Sequence, residues 1–238
     1  MSKIKDIRFY REVSSDALET RRSCEGCIKK ESLVPTNRLL FKLREIEFSF
    51  KDKFDHLYIN FTTRLKEEQS EYIDNLSIYK YDGWLRYVDY GISEEDYQSL
   101  NTKSGIWVLN KVKNVLIKHF CETKEEIINI EKIVNEIIKD GEQYSCIYKQ
   151  KNSTYGTVNI KVQVLDYLKI LPTIEILDTK DNLVLVEKLE PIDHYVLIQQ
   201  FSTITMNKKS VTIKPRKNAF SEMYKDKYGV DIIKLTLS

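Results

Sequence analysis

The closest approach to a chemical motif is Cys24-Glu25-Gly26-Cys27, two thiols at the spacing of half a zinc knuckle or of a redox dithiol, flanked by Arg21, Arg22, Lys29 and Lys30. A structural zinc takes four ligands. The remaining donors, His56, His119, Cys121, Cys146 and His194, supply no second pair at knuckle spacing; only His119 and Cys121 lie near each other. A thioredoxin-type pair sits at a helix N-terminus following a strand, whereas this pair lies in a polar, charged segment, Ser14 to Asn37, without period. The expectation is two free thiols in a surface loop, no metal and no cofactor.

Phosphodiester chemistry would need carboxylates to hold Mg²⁺ and a Lys near the attacked phosphate. Asp166 followed by Asp178-Thr179-Lys180 fits that pattern loosely. The triplet falls in a hairpin turn rather than inside a strand, and short patterns of common residues recur by chance. There is no Gly-x-Ser-x-Gly elbow, and seven glycines leave little material for a phosphate loop. His56, His119 and His194 are scattered and read as structural, so no catalytic residue is assigned.

Binding chemistry has more material. Lys208, Lys209, Lys214, Arg216 and Lys217, followed by Lys225 and Lys227, gather near the end of the chain with Phe220, Tyr224 and Tyr228 among them. Such a segment could pair phosphates and stack bases. Glu222, Asp226 and Asp231 would blunt its potential. A second concentration, Ser77 to Leu100, holds six aromatics, five up to Tyr90 and then Tyr97. Tyr, Trp and Arg dominate interface hot spots. Strand alternation leaves Tyr79, Tyr81, Arg86 and Tyr87 near the surface as the candidate protein-binding residues, while Trp84 and Tyr90 are expected in the core.

The elements that must carry these residues read as follows. Ile4 to Val13 is a first strand, and 14–37 a long loop or arm. Leu39, Phe41 and Leu43, then Ile46, Phe48 and Phe50, suggest a strand whose period slips at a bulge, joined by a hairpin loop to a strand from His56 to Thr63. Arg64 to Asn75 is a solvated loop or exposed helix, and Trp84 to Ile92 a partly buried strand before an N-cap at Ser93. Ser104 to Phe120 has helical period, and Thr123 with Glu126 opens a second helix, about 124–140, in a capping box.

Strands return from Tyr144 to Lys149 and Thr157 to Leu165, and a hairpin from Thr173 to Leu189 turns at Thr179 to Asn182. Its second arm, apolar on both faces, is expected at the centre of the sheet. A short helix near Pro191 to Phe201, a strand at Val211 to Lys214, a helix capped by Asn218 and a last strand from Val230 complete the chain. The order implies an α+β fold, a mostly antiparallel sheet packed against two central helices.

At 238 residues one full core fits, and a single α+β domain over 1–238 is expected. Thirty-eight basic against 36 acidic side chains leave a net charge of +2, which gives no global pull on nucleic acid or anionic lipid. No run of 18 apolar residues and no charged-then-apolar leader is seen, so the expectation is a cytoplasmic protein with no membrane partner. Abundant Lys, Ile, Asn and Tyr suggest a bacterial or phage source. The resulting expectation is a non-enzymatic module with a protein partner, for example an immunity or defence-accessory protein, with nucleic-acid binding as the alternative and a nuclease as the third.

Overall fold

The computed structural model describes residues 2–11, 27–50, 54–73 and 83–237. The contacts divide the chain into two compact units, 1–141 and 142–238. The fold is α+β.

In the N-terminal unit, β1 (Ser2–Lys3) pairs with β3 (Ser49–Phe50), and a four-stranded sheet has the order β2 (Asp6–Arg11), β4 (His56–Thr62), β6 (Leu85–Gly91), β5 (Ser70–Ile73). The first three strands of that sheet run parallel, and β5 returns antiparallel to β6. Ser70–Ile73 lies in the segment expected to be loop or exposed helix. Gly91 permits the return, because a Cβ there would stand 2.1 Å from the carbonyl oxygen of Lys66.

The region expected as a bulged strand is instead helix α1 (Val34–Glu45), preceded by a 3-10 turn (Lys30–Leu33), so the expected arm at 14–37 ends in helix and its residues 14–26 lie outside the described part. Pro35 sits in the first turn, where its missing N–H costs nothing. Thr36, Leu39, Leu40 and Leu43 are buried at the i, i+3, i+4, i+7 spacing of a helix. Only Ser49–Phe50 of this segment is strand, and it pairs with β1; residues 51–53 of the expected hairpin loop lie outside the described part.

Helix α2 (Glu94–Gln98) starts at Ser93, whose side chain accepts the N–H of Asp96. Helix α3 (Gly105–Phe120) is capped by Ser104, and α4 (Lys124–Asp140) carries the reciprocal Thr123 and Glu126 capping box. Val108, Leu109, Val112, Val115 and Leu116 of α3, and Ile130, Ile133, Val134 and Ile137 of α4, are buried. α1, α3 and α4 pack on one another. No helix among the described residues is long and apolar enough to cross a membrane.

The C-terminal unit is antiparallel throughout. Strands β7 (Ser145–Ser153), β8 (Gly156–Val164), β9 (Lys169–Leu177) and β10 (Leu183–Lys188) form a meander, and β11 (Ile192–Asp193) also pairs with β9. Helix α5 (His194–Gln200) leads to a three-stranded sheet of β12 (Thr203–Met206), β13 (Ser210–Lys214) and β14 (Ile233–Thr236), with α6 (Ala219–Tyr228) between the last two. Asn218 caps α6, and Gly229 ends it in the left-handed conformation. Val158, Ile160 and Val162 of β8 and Ile170, Ile174 and Ile176 of β9 are buried, the alternation expected when one face meets the core.

Candidate functional site

Of the expected protein-binding residues, Tyr79 and Tyr81 lie outside the described part of the chain. Arg86 and Tyr87 are adjacent in β6, so they project from opposite faces of the sheet and share no patch. Arg86 folds back on its own backbone, donating from Nη1 to the Leu85 carbonyl at 2.8 Å, with its guanidinium 5.4 Å from the Phe54 ring. Its Nε is buried without a hydrogen-bond partner among the described residues. Tyr90 is buried as expected at 1% exposure, but Trp84 is 43% exposed and stands edge-on to His56 just ahead of β6.

Tyr87 belongs to an aromatic face. Its ring lies 5.3 Å from Tyr58 and 6.1 Å from Tyr10, and Tyr10 is 5.0 Å from Tyr58. Burial pushes the Tyr58 hydroxyl up to about 12, with Tyr10 adding to the rise, and burial likewise raises Tyr10. Further along the same face, Asn60 Nδ2 donates to Asp89 Oδ1 at 2.9 Å and Arg64 Nη2 to Asp89 Oδ2 at 3.0 Å. Asp89 and Asn60 are 3% and 2% exposed. Both carboxylate oxygens are engaged, and the arrangement clamps the turn after β4 onto β6. Alternation alone placed Asp89 on the Tyr87 face; the parallel register that brings Asn60 opposite it was not readable.

The helix-facing side carries a second polar group. Glu68 accepts hydrogen bonds from Tyr90, Asn114 and Lys111. Burial alone would raise its pKa, but these donors, Lys111 first, hold it below the usual carboxylate range. The Ser70 hydroxyl is 2.9 Å from His119 Nε2, and Lys118 donates to the Ser70 carbonyl. Burial, then the Lys118 charge, lowers the His119 pKa. Ser70 is buried at the start of β5, so this pair joins α3 to the sheet rather than presenting a nucleophile.

The acidic pattern resolves into turn geometry. Asp178 Oδ1 accepts the backbone N–H groups of Lys180 and Asn182 at 2.7 and 2.9 Å, and Oδ2 accepts the Asn182 amide at 3.0 Å. Asp166 accepts from Leu168 and Lys169 in the same manner. Both carboxylates therefore serve as Asx turns. Cys27 is half-buried, with Sγ 3.7 Å from the Phe9 carbonyl, and Cys24 lies outside the described residues. Among the described residues no three His, Cys, Asp or Glu side chains converge as metal ligands do.

Strand β10 departs furthest from its sequence. Expected at the centre, it forms the edge of the meander, and Leu183, Val184 and Val186 are 58%, 46% and 45% exposed. Aliphatic residues on both faces are the signature of a strand buried from both sides. Here they border an edge that β9 alone pairs among the described strands.

The expected basic residues are all exposed. Lys208 and Lys209 occupy the turn between β12 and β13, whereas Lys214 ends β13 and Arg216 and Lys217 follow it. At the usual strand rise, Lys209 and Lys214 are about 17 Å apart along the ladder. The basic segment is thus two groups at opposite ends of one sheet.

The described residues define an α+β protein with a buried polar clamp, an exposed aliphatic edge and a divided basic surface. Comparison with family models, curated proteins and solved structures finds no match to the chain.

Proposed function

We propose that the chain is a non-catalytic protein-interaction module whose partner adds a strand to β10. The observation that carries this reading is the mismatch at that strand: a sequence suited to two-sided burial at an edge where its aliphatic side chains meet water. Native edges are commonly blunted by charge, Pro or a bulge. Leu183 to Val186 has no charge and no Pro, although the pairing to β9 is irregular between Leu183 and Leu185. Strand addition supplies main-chain hydrogen bonds for affinity and side-chain contacts on alternate faces for selectivity. An immunity or defence-accessory protein acting in the cytoplasm by occupying its target would use such a surface.

The test is stoichiometric capture from native lysate with wild-type protein and with the Val184→Lys, Val186→Lys double variant, both checked for folding. The wild type is expected to retain one defined partner that the variant loses, with β10 amides protected from exchange in the complex. Equal recovery by the variant, or no stoichiometric partner, would overturn the proposal.

A further inference from the structure

We infer that the solvent face of the β12-β13-β14 sheet binds the phosphate backbone of duplex nucleic acid. The register sets Thr203 opposite Lys214, Thr205 opposite Thr212, Thr212 opposite Lys234 and Ser210 opposite Thr236. Directly opposed residues in an antiparallel ladder point to the same side. One face therefore carries five hydroxyls and two ammonium groups, and Ile204, Val211 and Ile213, on the other face, are buried.

Charge complementarity identifies the occupant. No carboxylate stands on this face, and from His194 to Ser221 the chain has no Asp or Glu but five cations. Four of them, Lys208, Lys209, Arg216 and Lys217, extend the field beyond the ends of β13. Glu222 lies on α6 and Asp231 ahead of β14, so neither of these two carboxylates belongs to the strands that form the face.

Hydroxyls and ammonium groups in rows, about 4.8 Å apart across strands and about 7 Å apart along them, offer donors to a line of phosphate oxygens. No aromatic side chain belongs to the face, so it lacks the stacking platform that single-strand readers use. Phe220, Tyr224 and Tyr228, expected from sequence as stacking residues, belong to α6. The face suits a stacked duplex held by its backbone without sequence preference.

The inference stands apart from the β10 proposal and is tested separately, by anisotropy of a labelled DNA duplex of about 20 base pairs across roughly 50–200 mM salt. Affinity is expected to fall with salt, with a log–log slope near −0.9 for each phosphate neutralised, or about −3 to −5 here. Lys214→Glu with Lys234→Glu should weaken binding at least tenfold, and Lys214→Gln with Lys234→Gln should flatten the slope by about two. The equal charge change at exposed Lys124 and Lys139 of α4, and the β10 double variant, should leave most of the affinity intact.

Absence of binding at low salt, a salt-independent affinity, or equal losses from the α4 and sheet reversals would overturn the inference. So would tighter binding to vesicles of phosphatidylcholine and phosphatidylserine than to the duplex, which would assign the face to an anionic membrane surface. Circular dichroism melting of each variant separates lost contacts from lost fold.

Discussion

Asn60 and Asp89 face each other across the parallel pair β4 and β6, the amide donating to the carboxylate at 2.9 Å in a site almost closed to water. The other carboxylate oxygen receives Arg64, whose side chain is partly exposed. Removing Asp89 would leave a buried amide without this acceptor, and an unmade hydrogen bond of that kind costs about 1–3 kcal/mol. Asp89→Ala is therefore expected to destabilise the N-terminal unit by that amount, and Asn60→Asp by more, since it sets two carboxylates together in a buried site. Trp84 and Trp107 are the protein's two tryptophans, so urea unfolding followed by their fluorescence reports on this unit alone. Unchanged midpoints would show that the clamp is not stabilising.

Gly91 closes the same strand. A methyl group there would stand 2.1 Å from the Lys66 carbonyl oxygen and 2.9 Å from that of Leu65, both backbone atoms. The turn also forms hydrogen bonds to Gly91, which donates to Gln69 and accepts from Glu68. Gly91→Ala should cost at least the roughly 1–3 kcal/mol of an overpacked core, because no rotamer change relieves the clash. A variant with wild-type tryptophan unfolding would mean that the turn can lift away freely.

Acid sensitivity follows from three groups of the N-terminal unit whose pKa values are lowered in the fold. For His119 the causes are burial and Lys118. Burial opposes the shift at Asp55 and Glu68, where Lys5 and His56, or Lys111 and Tyr90, prevail. A lowered folded value means that the unfolded chain binds protons first, so the contribution is complete above the unfolded value and fades as pH falls through the folded one. The His119 contribution should start to fade below about pH 6.5, and those of Glu68 and Asp55 below about 4.5 and 4. His119→Gln, which keeps a polar partner for Ser70, is expected to flatten the fall in stability between about pH 7 and 5. An unchanged slope would place the acid response elsewhere. Raised Tyr10, Tyr58 and Tyr90 act on the other limb, their contribution being complete below about pH 10 and fading as pH rises through their folded values.

Features set by neighbours in sequence were legible. Ser93, Thr123 and Asn218 each accept the backbone N–H expected of an N-cap, and the helices begin where those residues stand. α1 was not legible, because Leu39, Phe41 and Leu43 satisfy a period of two as readily as Thr36, Leu39, Leu40 and Leu43 satisfy a helix. Register between distant strands was equally hidden. Nothing local announces that Asn60 meets Asp89, or that β2, β4 and β6 run parallel. Exposure failed where type outweighed position: Trp84, a large aromatic beside a strand, lies just before it and faces water.

β10 turns the same gap between type and position into a measurement. β8 has paired neighbours on both sides, whereas β10 pairs with β9 alone among the described strands. Backbone N–H groups of β10 that point away from β9 have no ladder partner among the described strands. Hydrogen exchange should therefore be fast at alternate amides from Leu183 to Lys188 and slow through Val158 to Val162. Binding of a strand-adding partner should close that difference without altering β8. Protection of every β10 amide in dilute, partner-free protein at the level of β8 would show that the edge is already covered, and would remove the basis for strand addition there.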